Sequence, residues 1–235
     1  MAFTVDKLNW FKWLYVNFKV NRLPDLHMVD RNLKTISSFI DGEDDRGLDY
    51  FIPENSEIDI RSLPESFHKG YMGISIGAQH ETKKLPVNSL ITLCRKLDFP
   101  LVILGGPEDR ERARLIRSAL PDRNIFNACG SFSIHQSASL VRQCKVLITH
   151  DTGLMHIGAA FRKKIISVWG NTVPAFGMYP YRADPSSLLF EVNKLACRPC
   201  SKIGYQKCPK NHFRCMLQQD LDGLASAAAK LWDLH

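Results

Sequence analysis

From Gly70 onward, apolar and polar positions alternate in blocks of two kinds. Short apolar runs of four to eight residues are followed by amphipathic stretches of ten to fifteen. The runs are Tyr71 to Ala78, Leu101 to Leu104, Ile125 to Cys129, Val146 to Thr149 and Ile165 to Trp169, each ending in small or polar residues. Runs of that length bounded by turn residues read as buried strands, and the amphipathic stretches between them as helices. Pro86 fits the first turn of a helix continued by Leu90, Leu93, Cys94 and Leu97. Glu108 to Leu120 turns Ala113, Ile116 and Leu120 inward, and Ser131 or Ser133 caps a helix running to Gln143. Thr152 to Phe161 forms the next helix, Leu188 to Val192 an edge strand, and Asp220 to Leu234 a closing helix. Strands and helices in this alternation predict βαβ units: an α/β fold with a Rossmann-like parallel sheet and helices on both faces.

The first 69 residues break that rhythm. Leu8, Phe11, Trp13, Leu14, Tyr15 and Phe18 recur at helical spacing, and Leu33, Ile36 and Ile40 suggest a second helix over Asp30 to Ile40. An acidic turn at residues 41–45 and prolines at 53 and 64 mark a linker, with a short strand expected at Leu48 to Ile52. The expected division is therefore 1–69 and 70–235.

Ligands of parallel sheets lie beyond the carboxyl ends of the strands. That rule selects the turn after Ala78, the turn after Leu104, His150 to Gly153, and the loop after Trp169. Asp151, Thr152 and Gly153 open a helix. Thr152 supplies a cap, Gly153 lets a ligand approach the backbone, and free N–H groups with the helix dipole favour phosphate oxygens. His156 falls on the same face. The same residues also read as an ordinary Asp/Thr cap with a packed histidine. Lys83 and Lys84 fit either a diphosphate contact or a solvated pair. Glu108 and Asp109 fit either ribose hydroxyls or a first helical turn that favours acidic residues. Asn171 to Pro174 could close over a ligand.

Charge and cysteines change the picture only modestly. The net charge of +7 suits phosphorylated partners or an anionic membrane face as well as plain solubility. No helix-turn-helix, ribonucleoprotein or zinc-finger pattern speaks for nucleic acid. No stretch approaches ~18 consecutive apolar residues, so no transmembrane segment is expected. The aromatic, basic N-terminus has no small-residue cleavage site, which makes the cytoplasm the default location. Cys94, Cys129 and Cys144 read as buried thiols. Cys197, Cys200, Cys208 and Cys215 lie within about twenty residues, leaving zinc, free thiols or a disulfide open.

The segments HDTGLMHIGAAFRKKIISVWGNTVP, ISIGAQHETKKLP and LVILGGPEDRE and the tail CRPCS…CPKNHFRCM together resemble the donor-site signature of the glycosyltransferase family 9 heptosyltransferases over roughly residues 70 to 220. The resemblance implies the C-terminal, donor-binding half of a GT-B enzyme with inverting, metal-independent chemistry. It implies that Asp151, Thr152, Gly153 and His156 hold the donor diphosphate and sugar, with Met155 beside the nucleotide. Lys83 would pair with phosphate, and Glu108 or Asp109 would meet the ribose. The donor would be ADP-heptose or a related nucleotide sugar, and the acceptor a lipid-linked saccharide of lipopolysaccharide type at the inner membrane face. In the family a complete N-terminal Rossmann domain binds the acceptor and carries the base. The chain begins near the end of that domain, so residues 1–69 are expected to be its remnant and no catalytic residue is assigned. Two readings follow: a transferase that is inactive alone, or a non-catalytic nucleotide-sugar-binding module needing a separate N-terminal half. The aromatic stripe would then pack on that half.

Overall fold

The computed structural model describes residues 5, 7–39 and 46–234. Two helices lead: α1 (Asn9–Phe18) and α2 (Met28–Leu33), the latter continued by a 3-10 turn to Ile36. The regular part then runs β1 (Met72–Ser75), α3 (Val87–Lys96), β2 (Leu101–Leu104), α4 (Arg110–Ser118), β3 (Ile125–Asn127), α5 (Ile134–Gln143), β4 (Val146–His150), α6 (Gly153–Ala160), β5 (Lys164–Trp169), β6 (Leu188–Glu191), α7 (Arg214–Leu217) and α8 (Leu221–Asp233). The six strands form one sheet in the order β3-β2-β1-β4-β5-β6, every pairing parallel. This is the Rossmann-like α/β architecture expected from the alternating blocks.

Period-two geometry divides the strand residues between two apolar layers. Ile74, Leu101, Ile103, Ile148 and Ile166 face one cluster, which is closed by α3, α4 and α8. Val102, Leu104, Leu147, Ile165 and Trp169 face the other, closed by α5 and α6. The strands therefore have no polar face, which is why they read as continuous apolar runs. Helix α6 approaches most tightly: a Cβ on Gly158 would lie 2.6 Å from Leu147 Cδ2.

Helix caps fall close to the sequence expectation. Ser133, not Ser131, caps α5, with Gln136 completing a capping box. Asp220 caps α8 through Gly223 N. The expected strand at Leu48 to Ile52 does not form. That segment is irregular, and Tyr50, Ile52, Ile58, Ile60, Leu63 and Phe67 pack onto the α5–α6 layer instead. Glu57 fastens it there, accepting from Ser139 Oγ (2.8 Å) and pairing with Arg142 (2.7 Å). The stretch expected as a linker thus covers one face of the sheet. The second expected helix is shorter than Asp30 to Ile40; Ile40 and the acidic turn at 41–45 lie outside the described residues.

Helices α1 and α2 rest on the loop after β5. Met28 N donates to Gly177 O (2.8 Å), and His27 Nε2 donates to Tyr179 O (2.8 Å) while its Nδ1 accepts from Val29 N. Gly177 has φ 75, and a Cβ there would strike Leu26 O at 2.6 Å, so the contact requires glycine. Tyr15 packs edge-on against Phe176. Leu8 is buried and Phe11 and Leu14 half-buried, while Trp13 and Phe18 of the stripe stay exposed, as does Trp10, which stacks on Trp13.

Candidate functional site

The strand order reverses direction between β1 and β4, the place in such sheets where ligands bind beyond the carboxyl ends of the strands. The predicted residues converge there. The turn after β1 delivers Lys83 and the turn after β4 delivers Asp151; Lys83 Nζ lies 2.6 Å from Asp151 Oδ2, both side chains largely buried. Thr172, from the loop after β5, donates its hydroxyl to the same Asp151 oxygen at 3.1 Å. Three strand ends are thereby joined through one carboxylate oxygen.

Thr152 caps α6, accepting from Leu154 N at 3.2 Å. Gly153 begins the helix, and a Cβ built on it would meet nothing within 4 Å. The first turn of α6 therefore presents backbone to open space, the arrangement that suits an anion at a helix start. His156, one turn on, is half-buried. Burial lowers its pKa, the Asp151 carboxylate opposes that shift, and Lys83 adds to it. Its imidazole is thus biased toward the neutral form, able to offer one N–H and one acceptor.

The remaining predicted residues separate. Met155 is fully buried in the apolar layer beneath α6 and takes the core role. A helix of eight residues with Leu154, Met155, Ile157 and Ala159 all buried leaves only part of its first turn for a ligand. Asp109 is also fully buried. It accepts from Gly106 N (3.3 Å) and pairs with Lys84 Nζ (3.3 Å), which also reaches Glu81 (2.7 Å). It fixes the Gly105–Gly106 turn, and Lys84 is occupied inside the protein. Glu108, by contrast, is exposed at the start of the turn into α4. Of each adjacent pair, Lys84 and Asp109 hold the scaffold, while Lys83 meets Asp151 and Glu108 is exposed.

Several contributors carried no clear signal in the sequence. His150, last residue of β4, is buried with its Nε2 accepting from Leu85 N at 3.0 Å. Burial, reinforced by Arg112 and Lys84 and only partly opposed by a Gly77 backbone contact, lowers its pKa to about 3. It stays neutral and ties β4 to the segment that carries Lys83. His27 lies near enough to His156 for their charges to interact, so the α2 segment borders the site. Asn171, in the loop that the sequence marked only weakly, is buried with neither side-chain polar atom hydrogen-bonded.

The four clustered cysteines are free thiols. Cys200 Sγ donates to Cys197 O at 2.9 Å, and Cys197 Sγ lies 3.8 Å from His212 Nε2. Burial and the neighbouring Cys197 push the Cys200 thiol up to about 12, and burial raises Cys215 to about 11. Among the described residues no group of three or more His, Cys, Asp or Glu side chains is arranged to hold a metal ion. Among them, too, no helix is long and apolar enough to cross a membrane.

The chain is 27% identical over 118 residues to lipopolysaccharide heptosyltransferase 2 of Salmonella typhimurium, covering 47% of this chain and 34% of that protein. Its fold matches the glycosyl transferase family 9 protein of Veillonella parvula (TM-score 0.67, 19% identity, 90% of this chain and 62% of that one). It also matches Escherichia coli heptosyltransferase WaaC with ADP (TM-score 0.59, 16% identity, 90% and 59%). The chain thus spans about three-fifths of those structures and aligns with a third of that relative. The model of Glycosyltransferase family 9 (heptosyltransferase) matches residues 6–206, and the chain belongs to that family.

Proposed function

We propose that this chain carries the nucleotide-sugar donor site of a heptosyltransferase, with ADP-heptose or a related ADP-sugar as donor. The carrying observation is the open start of α6 beside the Lys83–Asp151 pair at the strand-order reversal. The positive end of the α6 dipole at Gly153 and the Lys83 ammonium suit a departing diphosphate as negative charge develops on it. Asp151 and His156 suit sugar hydroxyls, and Glu108 suits the ribose. A solved family relative holds ADP, which supports the choice of nucleotide.

Asp151 serves as a ligand-holding residue in this reading. Its Oδ2 is already committed to Lys83 and Thr172. The group that deprotonates the acceptor hydroxyl is assigned to a second Rossmann-like half, within a longer protein or as a separate chain, which would also bind a lipid-linked saccharide at the membrane face. Residues 1–69 border that half and 70–235 form the donor domain. Zinc has no support from the cysteine loop as it stands.

A second reading is a nucleotide-sugar-binding module without transfer activity of its own. The exposed face of Trp10, Trp13 and Phe18 favours it, since such a surface suits docking to a partner half. Calorimetry with ADP and ADP-heptose tests the shared core of both readings: absence of binding at millimolar ligand refutes it. Transfer to a lipopolysaccharide core acceptor by this chain then separates a transferase from a module.

A further inference from the structure

The Arg198 side chain, from the cysteine-rich loop, is almost completely buried against the loop that follows β5. Its Nε donates to Gly170 O (2.5 Å) and its Nη2 to Thr172 O (2.9 Å). Nη1 reaches Val192 O (2.8 Å), and Nη2 also pairs with Glu191 Oε2 at 2.8 Å on the end of β6. The carbonyl between the two, Asn171 O, accepts from Cys200 N at 3.1 Å. Three consecutive carbonyls are therefore held from one segment, residues 198 to 200. Thr172 is gripped by its carbonyl on one side and gives its hydroxyl to Asp151 Oδ2 on the other, the oxygen that also meets Lys83.

We propose that Arg198 is a positioning residue for the donor site: it fixes the Gly170–Thr172 loop so that Thr172 holds Asp151 in register with Lys83 and the start of α6. The proposal rests on the donor-site reading for its consequence in binding, and on the geometry alone for its effect on Asp151. A guanidinium is needed because the targets lie in different directions around one buried group. Its fork satisfies four acceptors at once, whereas an ammonium offers three donors from a single atom. Glu191 balances the charge, so the arginine is retained without an unpaired buried cation. The cysteine-rich loop thereby acquires a role that needs no metal: it presents Arg198 and the Cys200 N–H to the site.

The test compares wild type with Arg198→Lys, Thr172→Val and the double variant. Two readouts are followed in protein verified as folded by circular dichroism. The first is the ADP dissociation constant by calorimetry. The second, independent of any ligand, is the His156 imidazole titration by NMR, which the Asp151 carboxylate raises, with Lys83 and His27 the other titrating groups near it. Each single variant is expected to weaken ADP binding by roughly fivefold or more, as for members of one hydrogen-bonded network. Each is also expected to lower the His156 midpoint, and the double variant to add little to either effect. A merely structural brace would lower unfolding stability and leave both readouts of the folded protein unchanged, which overturns the proposal. Additive losses in the double variant overturn it as well. Should wild type fail to bind ADP, the donor-site reading falls, yet the His156 titration still decides whether Arg198 positions Asp151. Should Arg198→Lys fail to fold, Glu191→Gln, which loosens the guanidinium from the rim, is expected to move the His156 midpoint in the same direction; no movement refutes the coupling.

Discussion

Two glycines on one short helix are expected to respond in opposite ways to the same added methyl group. Gly153 opens α6 with nothing within 4 Å of a Cβ, while Gly158 would place that Cβ 2.6 Å from Leu147 Cδ2 and 3.3 Å from Ile165 Cδ1. Neither has a left-handed φ, so alanine costs no backbone strain at either. For Gly153→Ala, the loss of unfolded-state freedom should stabilise the protein by about 0.4–1 kcal/mol. The new methyl stands in the space through which a diphosphate would reach the first N–H groups. Losing one charge-assisted hydrogen bond costs about 1.5–3 kcal/mol, a tenfold or greater rise in the ADP dissociation constant. For Gly158→Ala, crowding the packed α6–β4 contact should cost about 1–3 kcal/mol, with ADP affinity kept in the folded protein. Urea unfolding and calorimetry measure both quantities on both variants. If Gly153→Ala binds ADP as wild type does, the helix start does not hold the diphosphate and the donor-site reading is refuted.

Other perturbations test neighbouring links. Lys83→Met should weaken ADP binding and destabilise the fold by on the order of 3 kcal/mol, because Asp151 is left charged and nearly buried; adding Asp151→Asn should restore stability in urea unfolding without restoring binding. Glu108→Gln, at an exposed position, should leave stability within about 0.5 kcal/mol while weakening ADP but not inorganic pyrophosphate in calorimetry; equal loss for both ligands would remove Glu108 from the ribose. His150 is neutral in the fold, with a pKa of about 3 against an unfolded value near 6.5. The unfolded chain therefore binds the proton first, and the contribution present above pH 6.5 is lost as pH falls toward 3, at up to about 1.4 kcal/mol per pH unit. Protonation would also take the lone pair that accepts Leu85 N. Urea midpoints across pH 7 to 4 should fall less steeply in His150→Gln than in wild type, and parallel curves would show that His150 is not the group responsible.

What the sequence disclosed and what it withheld follow from how local each feature is. The strands were readable because both faces of the sheet are covered, so each became an unbroken apolar run between turn residues. The start of α6 was readable because a cap, an open glycine and a helix dipole are all set within a few adjacent residues. Leu48 to Ile52 misled for the complementary reason: an apolar, aromatic run fits a strand locally, yet its Tyr50 and Ile52 side chains pack on the α5–α6 layer instead. Choosing between neighbours was beyond local reasoning. Lys83 and Lys84, or Glu108 and Asp109, are alike in type, and only the fold pairs Lys83 with Asp151 and Lys84 with Asp109 and leaves Glu108 exposed. Arg198 lay further still from view. It acts through carbonyls, which every residue carries, on a loop 26 to 28 residues away in sequence. No pattern of side-chain types announces such a contact. The cysteines flanking it drew attention to themselves as metal ligands; in the structure they are free thiols on the loop from which Arg198 reaches the site.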